Sequence, residues 1–286
     1  MRLLIFGLGY CGRAAALAAC QAGWEVVGTS RSPRPSTIAG LRIIAFDAAG
    51  PEIARATHVL ATAAPAAAGD PVLAHYAAQL QGALTIAWFG YLSTTGIYGN
   101  RNGAWVNEAT VPGPTAERSK RRLAAEQAWR TMAAGRPLDL FRLAGIYGPG
   151  RSAFQDLRAG QARRISQPGH AFGRIHVDDI AAGILAAIAH PPTNTRVLNF
   201  SDDEPAESAT VTAEAAALLG MSAPPLVPYT EAAPTMSDMA RSFWAENRRV
   251  SSTATQAALH LKWRYPTYRE GLRAILAAEQ HPTDVA

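Results

Sequence analysis

The sequence predicts an α/β fold: a doubly wound parallel sheet of Rossmann type with a smaller C-terminal lobe. Three observations predict it. An apolar run at residues 3–6 leads straight into glycines at positions 7, 9 and 12 and then into an Ala-rich segment. Apolar runs of strand length then alternate with helix-length segments for about 150 residues, the pattern of parallel strands joined by crossover helices. The length of 286 residues and a hydrophobic content of 48% suit a full sheet plus a further lobe.

The first strand is residues 3–6, apolar enough to be buried on both faces. Gly7 allows a tight turn out of it. Gly9 lacks a Cβ, so a pyrophosphate can approach the main chain, with Tyr10 and Cys11 beside it. Gly12 lets the following helix lie close to the strand. That helix is placed at 13–22 with Gly23 as its stop. Its free N–H groups and dipole favour an anion. The second strand is 24–29, and the tip after it reads Ser30-Arg31, with Arg34 close behind. An NAD-selective site places Asp or Glu there for the ribose hydroxyls. Here no carboxylate repels a 2′-phosphate and Arg31 can pair with one, so NADP is favoured and NAD is the alternative.

The third strand is 41–46, ending at Asp47, a candidate for the adenine amino group or a turn cap. The fourth is 58–61. Ala61, Thr62 and Ala63 follow it, small enough for a cofactor to lie against the backbone. Asp70 and Pro71 open a helix running toward 81. The fifth strand is 84–92, followed by Ser93, Thr94 and the run up to Gly99. Thr115 is a candidate N-cap for a helix running to 134, with Glu117 in its first turn. The sixth strand is 138–143, leading into Gly145, a candidate cofactor contact, and Tyr147. A helix follows Ile175-His176-Val177-Asp178-Asp179, with the two aspartates as caps. One more strand at 196–200 joins the sheet, and helices at 207–219 and 267–280 close the chain. Residues 1–150 form the dinucleotide-binding part and 151–286 mainly the substrate lobe, woven onto it without a linker.

Bulk composition narrows the function. Net charge is +5, and nearly all basic residues are Arg, Lys120 and Lys262 being the only lysines. The charge is mild and spread out, suiting small anionic ligands, and no basic run with interleaved aromatics points to nucleic acid. The two cysteines, Cys11 and Cys20, sit in one strand–helix unit and predict neither a disulfide framework nor a metal site. The stretch Leu17-Ala18-Ala19-Cys20 imitates a lipoprotein box. Arg13 and three glycines interrupt its apolar core, and no stretch reaches membrane-spanning length without a charge or breaker. A cytoplasmic setting follows; a homodimer is left open.

Four pieces together resemble the extended short-chain dehydrogenase/reductase superfamily, the nucleotide-sugar epimerase and dehydratase group. They are the glycine corner 7–12, the stretch 91–99, the stretch 142–150 and the stretch 175–181. Its spacing G-x-G-x-x-G, where extended members have G-x-x-G-x-x-G, marks an atypical subgroup. The resemblance implies a Ser/Thr–Tyr–Lys arrangement in which the Lys charge helps the phenol shed its proton. Thr94 matches the Ser/Thr position. None of the eight tyrosines has Lys four residues later. Aligning Glu126 with the family's Glu puts Arg118 at the Tyr position and Arg122 at the Lys position, one turn apart on one helix face. Arg122 can hold ribose hydroxyls. Arg118 stays protonated, so it is an electrophile or anion clamp rather than a base. Tyr98 is the remaining catalytic candidate. The family's dehydratases place Asp-Glu where this chain has Thr95-Gly96, which argues against dehydration. The expectation is an oxidoreductase or epimerase on an anionic, nucleotide-linked substrate; the alternative is an inactive cofactor-sensing or scaffold protein.

Overall fold

A computed structural model describes residues 1–280. Seven strands form one wholly parallel sheet: β1 (Arg2–Phe6), β2 (Glu25–Ser30), β3 (Leu41–Ala45), β4 (His58–Ala61), β5 (Trp88–Thr94), β7 (Leu138–Leu143) and β11 (Thr195–Phe200). Their spatial order is β11-β7-β5-β4-β1-β2-β3, so the winding reverses between β1 and β4. Two-residue and three-residue strands pair outside it: β6 (Trp105–Val106) with β13 (Arg249–Val250), β8 (Gly145–Tyr147) with β10 (Arg174–His176), and β9 (Arg164–Ser166) with β12 (Leu226–Pro228). The main helices are α1 (Tyr10–Gln21), α3 (Pro71–Gly82), α4 (Glu117–Ala133), α6 (Val177–Ala189), α7 (Ser208–Leu218) and α11 (Tyr268–Gln280). Shorter ones are α2 (Gly50–Ile53), α5 (Ala153–Arg158), α8 (Tyr229–Ala232), α9 (Asp238–Trp244) and α10 (Thr253–Ala258).

The period-two alternation of a strand divides the core. Leu3 and Ile5 pack with α1 and α6 on one face of the sheet. Leu4 and Phe6 pack on the other face, against Val72, Tyr76 and Leu80 of α3 and Trp129 of α4. One aspartate on each face serves the core as a hydrogen-bond acceptor, Asp139 beside Trp88 and Asp70 beside Trp129. Asp70 caps α3 through the N–H groups of Val72 and Leu73 and accepts from the Trp129 indole at 3.3 Å. Asp139 holds the Trp88 indole at 2.8 Å and the Arg196 guanidinium at 2.7 Å, so β5, β7 and β11 are stitched side to side. A third core, built on Phe154, Leu157, Val211, Tyr268 and Leu272, belongs to the lobe after β8.

Several expectations need correction. The helix after the glycines begins at Tyr10, three residues earlier than placed, because Gly9 itself serves as the N-cap. The third strand stops at Ala45, and Phe46–Ala48 forms a 3-10 turn. The fifth strand starts at Trp88; Leu84 is 91% exposed and belongs to the preceding turn. Thr115 does not cap α4: Ala116 is the N-cap, and the Thr115 hydroxyl donates to Glu246 at 2.8 Å. At the start of α6 the cap is His176, whose Nδ1 accepts from the Asp178 N–H at 3.2 Å. Asp179 instead accepts from the N–H groups of Arg264 (2.7 Å) and Tyr265 (3.1 Å), fastening a distant loop. Among the described residues, no helix is long and apolar enough to cross a membrane, and no cluster of His, Cys, Asp and Glu could hold a metal.

Candidate functional site

The reversal of strand order between β1 and β4 opens a crevice at the C-terminal ends of the strands, where ligands of such sheets bind. Two turns flank it, the glycine corner after β1 and Ala61-Thr62-Ala63 after β4. The three glycines differ in physical environment. Gly7 has φ of +103° and a Cβ there would lie 2.9 Å from Thr62 Oγ1. A Cβ on Gly12 would collide with the Gly7 carbonyl oxygen, so helix and turn touch through bare backbone. A Cβ on Gly9 would meet nothing within 4 Å. The start of α1 has no side-chain cap, leaving its first N–H groups facing that open space. The Thr62 hydroxyl donates to the Gly7 carbonyl, fixing the two turns to each other.

Tyr10 and Cys11 open α1. Tyr10 donates its hydroxyl to Pro149 O at 2.9 Å, and its pKa is pushed up to about 12 by burial and then by the charges of Asp178 and Cys11. Burial pushes the Cys11 thiol up to about 11, so it is packed rather than reactive. At the next strand end, Ser30 Oγ accepts from the Ser32 N–H at 3.2 Å. Arg31 and Asp47 are both exposed at that edge, and among the described residues Arg31 forms no ion pair.

A cavity of about 640 Å³ lies beside the crevice, between the end of β5, the first turns of α4, β8 and α9. Thr94, Arg118, Arg122 and Gly145 line it, bringing four sequence candidates together. Thr94 Oγ1 accepts from the Gly96 N–H at 3.1 Å. Arg122 is anchored: its Nη1 donates to Leu92 O (2.8 Å), the Tyr91 hydroxyl (3.1 Å) and Ala63 O (3.4 Å). It thereby ties α4 to the ends of β4 and β5. Arg118 lies over the ring of Phe243 of α9 at 3.7 Å, and burial lowers its pKa against the opposing charge of Glu246.

Tyr98 does not line this cavity. It is 0% exposed, its hydroxyl donates to Asn199 Oδ1 at 2.7 Å and accepts from Arg142 Nη1 at 3.0 Å, and burial raises its pKa. Arg142 in turn forms a buried ion pair with Glu126 at 2.9 Å. Tyr98 is therefore a structural link between β5, β7 and β11, and it leaves the catalytic set.

The cavity also contains residues absent from the sequence candidates: Arg151, Arg174, Glu246 and Arg248. Among the described residues Glu246 is the only carboxylate lining it, held by Thr115 and by Arg248, each at 2.8 Å. With Arg118 and Arg122, five guanidinium groups face one carboxylate. Such a wall stabilises an anion, and its guanidinium groups are poor bases. Nothing local in the sequence marks these four, because three separate segments of the C-terminal lobe deliver them: the turn after β8, the start of β10 and the loop after α9.

No protein-family model and no curated protein matches this chain. Solved structures match it nearly end to end. A functionally unknown conserved protein from Silicibacter pomeroyi DSS is 42% identical over 98% of this chain and 99% of its own, with a TM-score of 0.90. The human epimerase family protein SDR39U1 (isoform 2), solved with NADPH, is 20% identical over 97% and 99%, with a TM-score of 0.76. MoeE5, solved with UDP-glucuronic acid and NAD, is 19% identical over 99% and 100%, also at 0.76. At 42% identity over nearly the whole of both chains, this chain belongs to one family with the conserved protein from Silicibacter pomeroyi DSS, and the two more distant structures show that it shares their fold.

Proposed function

We propose that this chain is a nicotinamide-dependent oxidoreductase or epimerase of the cytoplasm, NADP(H)-preferring, that takes an anionic, nucleotide-linked substrate into the arginine-lined cavity. One observation carries the reading: the glycine corner presents uncapped N–H groups beside a Gly9 that faces empty space, and the cavity opens at the same edge of the sheet. A diphosphate fits there. Gly7, Gly9, Tyr10, Cys11 and Gly12 would hold it, with Ser30, Arg31 and Asp47 around the adenosine end and Ala61, Thr62, Ala63 and Arg122 toward the nicotinamide. Residues 1–150 supply this side and 151–286 most of the substrate side. The neighbours solved with NADPH and with NAD plus UDP-glucuronic acid support the choice of ligands.

The bound nicotinamide supplies a hydride acceptor or donor. Thr94 orients the substrate oxygen with its hydroxyl, whose oxygen accepts from Gly96 N–H and whose own proton stays free to donate. Arg118 polarises a carbonyl or clamps an anion. Titration of the pure protein with NADPH and NADH, followed by turnover screens against nucleotide sugars and simple carbonyls, tests the reading. The expected result is tighter binding of NADPH, with the preference reduced about tenfold in Arg31→Ala by loss of one charge-assisted contact. Absence of binding by both cofactors overturns it. A second reading, a cofactor-sensing protein without chemistry, draws on Arg118 standing in the family's Tyr position and stacking on Phe243. Bound cofactor without turnover, together with a partner whose affinity follows the NADPH/NADP ratio, would favour that second reading.

A further inference from the structure

Beyond the main cavity lies a recess of about 230 Å³ in the C-terminal lobe. Tyr147, Arg174 and Ser208 line both spaces, so the recess continues the cavity inward. Its chemistry is lopsided. Arg174 is half-buried, and its Nη1 donates to Phe172 O (2.8 Å) and Ala206 O (3.1 Å). Among the described residues its Nε and Nη2 have no hydrogen-bond partner, and no carboxylate lies within salt-bridge distance of it. The Tyr268 side chain is 0% exposed and lines the same recess, and among the described residues its hydroxyl has no hydrogen-bond partner. The Tyr147 hydroxyl reaches only Thr267 O, at 3.5 Å. Arg163 stands at the wall, donating to Thr235 Oγ1 at 3.0 Å. Among the described residues the one acid lining the recess is Asp156, which is exposed; the buried Asp202, which accepts from the Arg174 backbone N–H at 3.4 Å, does not line it and offsets part of the Arg174 charge.

The Tyr268 hydroxyl is a buried donor without an acceptor, which is costly and needs an explanation. A guanidinium with a free edge beside an unpaired phenol calls for a ligand rich in acceptors and negative in charge. We propose that this recess is a subsite for a compact oxyanion, a carboxylate or phosphate ester at the far end of the substrate, held by Arg174 and the Tyr268 hydroxyl. This rests on reading the main cavity as the substrate site. Specificity for acidic substrates then comes from the lobe, separately from the cofactor side.

The test measures calorimetric binding of inorganic phosphate, malonate and uridine to the full chain and to Arg174→Gln and Tyr268→Phe. NADPH binding is measured on the same samples. Saturable binding of phosphate or malonate is expected, weakened about tenfold in Arg174→Gln and about threefold in Tyr268→Phe. The stronger of the two anions identifies the source. Tyr268→Phe removes only an unpaired hydroxyl, so it decides the matter if Arg174→Gln fails to fold. Anion affinity unchanged in Tyr268→Phe, absence of anion binding, or uridine binding more tightly than both anions overturns the subsite. Loss of the subsite with NADPH still bound leaves the cofactor reading standing; NADPH failing to bind while anions bind does the reverse.

Discussion

Two glycines three residues apart answer to different forces, and that separates their substitutions. A side chain at Gly9 enters open space from a φ of −74°, an ordinary angle for any residue. Gly9→Val is therefore expected to leave the melting temperature nearly unchanged, within about 0.5 kcal/mol, while weakening NADPH at least about tenfold. Gly12→Ala drives a methyl into the Gly7 carbonyl and is expected to cost about 1–3 kcal/mol of stability. Thermal melts with cofactor titrations check both, and equal effects on both properties at the two positions would contradict the assignment. These residues were legible in the sequence because strand, turn and helix stood in register around them. Tyr98 was not. Its position near the sheet's end looked catalytic, but whether a strand-end phenol faces a cavity or a buried Arg142–Asn199 pair depends on strands 40 and 100 residues away.

At the scale of elements, the start of α6 joins two buried groups with opposite responses to acid. Burial pushes His176 down to about 4, against the opposing charge of Asp178. Burial pushes Asp179 up to about 6 despite the N–H groups of Arg264 and Tyr265. Below about pH 6.5 the unfolded chain protonates His176 more readily than the folded one, so that group costs stability as pH falls toward 4. Between about pH 6 and 4 the folded chain holds the Asp179 proton more tightly, so that group adds stability as pH falls, each effect on the order of 3 kcal/mol. Over this window Asp179→Asn should lose stability on acidification relative to the native chain, and His176→Asn should gain. Urea midpoints read against pH decide, and slopes of the same sign in the two variants would refute the pairing. The periodic elements here were readable from sequence, the α6 start included. Which of three polar residues caps it was not, because Asp179 is claimed by a loop from residue 264 onward. The same holds for Thr115, drawn off its helix by Glu246.

For the whole molecule, the sheet closes late. β11 covers the open edge of β7 over six paired residues and is reached only after the chain has run through much of the C-terminal lobe. Asn199 on that strand receives Tyr98, and Arg196 neutralises the buried Asp139. A fragment of residues 1–150 is thus expected to lack a cooperative thermal transition, because it strips the Arg196 guanidinium from the buried Asp139 and leaves a bare strand edge. Circular dichroism of the fragment checks this; a sharp native-like melt would show that the first half stands alone. The alternation that predicts the sheet also predicts this added strand, whereas the arginine cavity, assembled from residues 94 to 248, has no sequence period to betray it. The Tyr10 hydroxyl gives these two regions a common hinge pin. It belongs to the first turn of α1 and grips Pro149, at the mouth of the loop that carries Arg151 into the cavity. A ligand on one side that displaced the ring would loosen the loop on the other, and any coupling carried this way would act by the same factor in both directions.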